Sequence, residues 1–193
     1  MKLALPVMAL AVAMLLIWIL VTPVVSVGEE SDEVTFDLVG AKKCKMCHKP
    51  AKIGNQWTTW TESRHASAYE TLASEAALAI AKEKGIENPQ TAAECLKCHV
   101  TAFPVLETIV DQKITLEEGV SCETCHGPGS GYWKKKTMAA IRAGTQDAAE
   151  VGLTKPTEEK CQSCHNEESP TYKEFKFDEY WAKIAHGYPA EGE

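Results

Sequence analysis

A Cys-x-x-Cys-His unit occurs four times in this chain, at Cys44/Cys47/His48, Cys95/Cys98/His99, Cys122/Cys125/His126 and Cys161/Cys164/His165. The four copies use all eight cysteines. Two thiols at i and i+3 can each bond one vinyl group of a porphyrin, and the histidine directly after them meets its iron. Zinc ribbons also pair cysteines at this spacing, but they have no need of a histidine after every pair. A disulfide framework needs an even cysteine count and nothing more regular. Four identical units that leave no thiol over predict four covalently bound haem c groups.

Composition fits that expectation. Beyond Gly28 the chain has seven Leu, seven Ile, seven Val and four Phe, 25 of 165 residues. An aliphatic content that low, with a formal charge of −7, belongs to chains that stay unfolded unless something else supplies an interior. Four porphyrins would supply it, much as a metal does in small metal-dependent domains. The negative charge argues against nucleic acid as a partner and suits redox proteins with basic docking faces.

Residues Leu3 to Val25 form 23 positions without a charge, followed by Glu29, Glu30, Asp32 and Glu33. That is long enough to span a bilayer and longer than the apolar part of most cleaved signals. The segment 1–27 is read as a membrane anchor, with a removed signal peptide as the alternative, and the remainder as periplasmic or extracellular. An acidic linker, 28–40, in which a brief strand is expected, leads to a tetrahaem domain over 41–193. Asn55 to Lys84 is predicted as one helix stopped by Gly85, and Tyr132 to Arg142 as another stopped by Gly144. Ala102 to Glu118 reads as a small hairpin or irregular excursion. Thr157 is a candidate N-cap for the fourth motif, and Asp178 to His186 reads as a helix ended by Gly187. Gly127-Pro-Gly129 offers backbone without side chains for close approach to a haem.

Each motif histidine supplies one axial ligand, and the nature of the second separates electron carriers from reactive sites. Of six histidines, two remain, His65 and His186. Both are candidate ligands; as alternatives, His65 is a solvated helix residue and His186 a partner of a helix dipole. Met138 is the candidate thioether ligand, with plain packing as its alternative. Lys134, Lys135 and Lys136 form a solvated face or a docking patch. Met46 and the tryptophans Trp57, Trp60, Trp133 and Trp181 are assigned to packing. Two spare histidines cannot complete four irons, so an open iron, or a ligand lent by a neighbouring subunit, is expected.

Lys42-Lys-Cys-Lys-Met-Cys-His-Lys49, Trp57 and Ser-Arg-His65-Ala, Cys-Leu-Lys-Cys-His-Val100, Gly119-Val-Ser-Cys-Glu-Thr-Cys-His-Gly-Pro-Gly129, Cys161-Gln-Ser-Cys-His165 and Phe175-Lys-Phe-Asp-Glu179 together resemble the tetrahaem cytochrome c-554 family. Its members accept electrons from hydroxylamine oxidoreductase in ammonia oxidisers. The resemblance implies a mostly α-helical fold with little sheet and haems in closely stacked pairs. It also implies ligand roles for all six histidines and no second ligand on the haem of His99. The chain departs from the family at one point: the histidine shortly after Gly-Pro-Gly is absent, and Tyr-Trp-Lys-Lys-Lys-Thr-Met138 stands there. Met138 or a lysine is the substitute. The apparent anchor is a second departure.

The leading functional reading is an electron carrier between redox partner proteins. Three alternatives remain open. One is an enzyme acting on a small nitrogen species at an open iron. Another is a membrane-anchored quinol dehydrogenase, although the 46 residues between His48 and Cys95 are long for one. The third is a self-associating cytochrome filament.

Overall fold

A computed structural model describes residues 35–105 and 114–188, which lie in one compact unit beginning at Thr35. The expected anchor, residues 3–25, lies outside them. Among the described residues no helix is long and apolar enough to cross a membrane.

The described residues are helical, with no strand. In chain order the helices are α1 (Ala41–His48), α2 (Gln56–Thr61), α3 (Ala68–Thr71), α4 (Glu75–Glu83), α5 (Ala93–His99), α6 (Cys122–His126), α7 (Lys135–Arg142), α8 (Glu158–Gln162) and α9 (Phe177–Ile184), joined by turns and short 3-10 segments. Three of the four motifs end a helix, α1, α5 and α6, and the fourth begins within α8. This local geometry follows from the motif, because thiols at i and i+3 fall on one side of a helical turn. Helix α1 packs on α2 and α6, and α3 packs on α5 and on the 3-10 turn Leu116–Glu118.

The stretch Asn55 to Lys84, expected as one helix, is instead α2, α3 and α4. Its serines explain the breaks, since short hydroxyl side chains offer the backbone alternatives to the helical ladder. Ser63 Oγ donates to the Trp60 carbonyl (2.7 Å) and Ser67 Oγ to that of Arg64 (3.4 Å). Ser74, with extended backbone, accepts from the Ala77 N–H (3.2 Å) and caps α4. His65 therefore sits in a turn between helices rather than on one. The stop at Gly85 stands, with Ile86 N–H donating back to the Ala81 carbonyl (2.8 Å).

Other boundaries shift in the same way. Tyr132 to Lys134 precedes α7 rather than opening it. Thr157 caps α8 as expected, accepting from the Lys160 N–H (3.2 Å). Helix α9 ends at Ile184, and Ala185 is extended (ψ 133°), so His186 lies beyond the helix rather than in its last turn. Of Ala102 to Glu118, the described parts hold two 3-10 turns, Phe103–Val105 and Leu116–Glu118, and no hairpin.

The buried apolar cluster is small: Leu72, Leu96, Val100, Ala102 and Ile114, with Leu38, Tyr69, Cys95, Phe103 and Leu116 against it. It surrounds the second motif. Trp57, Trp60, Trp133 and Trp181 stay half-buried outside it.

Residues 35–40 form no strand and are tied to the third motif by one carboxylate. Glu123, 3% exposed, accepts from the N–H groups of Val39 (2.9 Å), Gly40 (2.8 Å) and Gly129 (2.6 Å). Glu118 accepts from Ala41 N–H (2.9 Å). Two acidic side chains, Glu118 of the 3-10 turn and Glu123 of α6, thus cap the start of α1, where unpaired N–H groups and the helix dipole favour negative charge. The Gly127-Pro-Gly129 segment serves this junction: a Cβ on Gly129 would lie 2.7 Å from Val39 Cγ2 and 2.9 Å from Glu123 Oε1. The close approach that Gly129 permits is to protein.

Candidate haem-binding site

Each motif histidine is positioned by a local acceptor or a ring contact. The Nδ1 of His48 lies 3.3 Å from Gln56 Oε1, that of His99 2.7 Å from the Ala68 carbonyl, and that of His126 3.3 Å from the Thr154 carbonyl. The Nδ1 of His186 is 2.9 Å from the Ile184 carbonyl. An acceptor at Nδ1 selects the tautomer with its proton there and leaves the Nε2 lone pair for a metal. His165 has a different support, with Phe175 stacked on it at 5.0 Å and Tyr180 at 6.2 Å.

The two spare histidines meet two of the motif histidines. His65 faces His165 with ring centroids 6.0 Å apart, and His186 faces His126 at 6.0 Å. Two imidazoles bound to opposite faces of one iron, each nitrogen about 2 Å from it, have centroids about 6 Å apart. The two ring separations equal that spacing, with the ring planes inclined at 67° and 57°. His65 is held there by its backbone: its carbonyl accepts from the Ala68 (3.2 Å) and Val120 (2.9 Å) N–H groups. Gly119, at φ 59°, lets that loop close, since a Cβ would lie 2.6 Å from the same carbonyl.

Burial lowers the pKa of His65, and neighbouring His165 lowers it further. Burial also lowers that of His126, with His186 and His48 adding to it against the opposing Thr154 bond. His165 is lowered by burial as well. Neutral rings with free lone pairs are what iron needs.

The cysteines show which motifs are neighbours. Cys44 shares a hydrogen bond with Cys122, which with burial raises the Cys44 thiol far above its usual range. Cys98 is pushed up to about 11 by burial and by Cys164 beside it. Burial and Cys161 raise Cys125. The first motif therefore adjoins the third, the second adjoins the fourth, and the third adjoins the fourth. Thr101 links the second to the third: its Oγ1 accepts from the Ser121 N–H and lies 2.6 Å from Thr124 Oγ1. The exposed pair Lys97–Glu168 bridges the second and fourth. An open cleft of about 500 Å³ lies beside Cys125, lined also by Pro128, Thr154 and Lys160. All eight cysteines are free, and among the described residues no cluster of three or more His, Cys, Asp or Glu is arranged to hold a bare metal ion.

Residues 43–127 match the model of the family described as cytochrome c554 and c-prime. Over 139 residues the chain is 34% identical to cytochrome c-554 of Nitrosomonas europaea. Over this region the chain is similar to the cytochrome c-554 family. The aligned region covers 65% of this chain and 56% of that relative, so the chain spans just over half the length of the curated cytochrome c-554 it matches. No solved structure matches it.

The matched region is similar to a c-type cytochrome and contains three of the four Cys-x-x-Cys-His units. The family match includes the first three motifs and His65; the fourth motif and His186 lie beyond it. Among the described residues neither His48 nor His99 makes a ring contact with another histidine, although His48 lies near enough to His126 to lower its pKa. Met138 has no hydrogen bond or ring contact with a histidine among the described residues, and His126, twelve residues before it, already faces His186. Met46 is 65% exposed. Trp57 and Trp60 meet edge to face at 5.0 Å, Lys45 lies over Trp57 at 5.0 Å, and Lys43 lies over Trp133 at 4.8 Å.

The supporting acceptors Gln56, Ala68 and Thr154 carry no sequence signal. Glu123 carries none either, since two of its donors, Val39 and Gly40, reach it from more than 80 residues away.

Proposed function

We propose that the chain is a tetrahaem electron carrier working outside the cytoplasm, held to the membrane by residues 3–25. The two histidine pairs at 6.0 Å, each joining a motif histidine to one from elsewhere in the chain, carry this reading. In it, Cys44, Cys47, Cys95, Cys98, Cys122, Cys125, Cys161 and Cys164 anchor four haems, and His48, His99, His126 and His165 hold their irons. His65 completes the site of His165, and His186 that of His126. Bound haem supplies a one-electron couple whose potential follows its axial ligands, hydrogen bonds and burial.

The chain's own residues do the rest. Acceptors at Nδ1 fix the rings, so ligands need not reorganise when charge changes. Contact of the first motif with the third, the third with the fourth and the fourth with the second makes a continuous series of sites. Redox partner proteins at either end would donate and accept. Mass spectrometry of the mature protein tests the stoichiometry, with four haems expected above the polypeptide mass. Fewer than four overturns the reading. Membrane fractionation with N-terminal sequencing tests the anchor, and recovery of a soluble protein lacking residues 3–25 overturns that part.

A second reading rests on His99, which faces no histidine and so leaves one coordination position for a small nitrogen species. Spectra of purely six-coordinate, low-spin haem would remove it.

A further inference from the structure

We infer that Met138 is the second axial ligand of the iron held by His48, an assignment that rests on the tetrahaem reading above. Six histidines serve four irons, and the two facing pairs leave His48 and His99 unmatched. His48 has its Nδ1 on Gln56, so its Nε2 is the metal-facing atom and the opposite side of that iron needs a donor. The described residues include two methionines, Met46 and Met138. Met46 is two residues before His48 on the same helix, points to solvent at 65% exposure, and cannot reach the far face.

Helix α7, which carries Met138, is fixed at both ends to the surroundings of His48. Just before α7, Trp133 lies under Lys43 of α1 at 4.8 Å. Buried Tyr132 donates to the Gly127 carbonyl (2.6 Å) and has Cys44 as a neighbour. At the other end, the Arg142 guanidinium lies 4.0 Å from the ring centre of Tyr188. Tyr188 closes the segment that presents His186, and Gly187 in that segment accepts from Gln56 Nε2 (3.2 Å), the side chain that also holds His48. Helix α7 thus runs from the first-motif helix to the segment seated beside His48.

Its two faces differ. Thr137, Met138, Ala140 and Ile141 are half-buried, whereas Lys134, Lys135, Lys136, Ala139 and Arg142 are exposed. The lysines, the other donors near this point, face water. The inward donor is a thioether, whose sulfur lone pair suits a haem iron, and His/Met ligation raises a haem's potential above that of a bis-histidine centre. The iron of His48 becomes the site where an electron entering the chain comes to rest.

The test uses the haem-loaded protein and two readouts, the sulfur-to-iron charge-transfer band of the oxidised protein and carbon monoxide uptake of the reduced protein. The band is expected in the native protein and in Met46→Leu, and is expected to vanish in Met138→Ala. Met138→Ala should take up one more equivalent of carbon monoxide than native. Met138→His should lose the band, stay low-spin and lower the potential of one haem only, which separates ligation from packing. Four haems by mass with no band in the native protein, or a band that survives Met138→Ala, overturns this assignment and leaves the tetrahaem reading standing. A haem count below four overturns that reading itself.

Discussion

Replacing Glu123 by Gln should cost about 3 kcal/mol of stability without touching a haem ligand. The carboxylate serves three backbone donors: Oε2 accepts from Gly40 (2.8 Å) and Val39 (3.2 Å), and Oε1 from Val39 (2.9 Å) and Gly129 (2.6 Å). An amide of the same shape turns one oxygen into a donor, so whichever way it is placed, either Gly40 or Gly129 meets N–H with N–H. A buried donor left without a partner costs about 1–3 kcal/mol, and the bonds that survive lose the roughly twofold strength of a charged acceptor. Three kilocalories corresponds to a drop in Tm of roughly 6–12 °C for a chain of this size. Thermal unfolding of the haem-loaded protein, followed by far-UV circular dichroism, reads the shift. Hydrogen exchange at the Val39, Gly40 and Gly129 amides should quicken in the same variant. A Tm within about 1 °C of native, with those amides still protected, would refute the role assigned to Glu123.

The remaining predictions concern a second carboxylate and the ligand pairs. Burial raises the Glu118 pKa above its ordinary 4.5, ahead of the Ala41 bond that lowers it. The folded state then holds this proton more tightly than the unfolded chain, so the contribution of Glu118 to stability falls as pH rises from 4.5 through the raised value. In Glu118→Gln that component of the slope should be absent, and denaturant melts at several pH values would show native and variant parallel if the reasoning fails. His65→Ala should convert one haem, that of His165, from low-spin to high-spin, and His186→Ala should do so for that of His126. Electron paramagnetic resonance of the oxidised variants checks this, and an unchanged low-spin count in either variant contradicts the pairing. Gly119→Ala places a Cβ 2.6 Å from the His65 carbonyl at φ 59° and should cost about 1–3 kcal/mol, with the His165 centre disturbed first.

How far the sequence speaks depends on the range over which each cause acts. The motifs stand out in the sequence because the chemistry they imply is local: two thiols and a histidine within five residues have the spacing to serve one porphyrin. The helical class, the stop at Gly85 and the Thr157 cap were legible for the same reason, since caps act within a turn. The break of Asn55 to Lys84 was written in Ser63, Ser67 and Ser74, but Ala, Glu and Leu around them outweighed hydroxyls whose competing bonds depend on the fold. His65 and His186 could be singled out by counting, while the motif histidines they face could not, because the facing of His65 with His165 depends on a closure 100 residues wide. What sets that closure is itself non-local: Gly119 lets the loop before the third motif reach the His65 carbonyl, and Trp60 Nε1 donates to the Val120 carbonyl (2.9 Å) beside it. The same distinction explains Gly127-Pro-Gly129, where absent side chains announced a close approach without saying to what. The partner proved to be Val39 and Glu123, which makes the stretch before α1 part of the third motif's support and ties it to a residue inside a Cys-x-x-Cys-His unit.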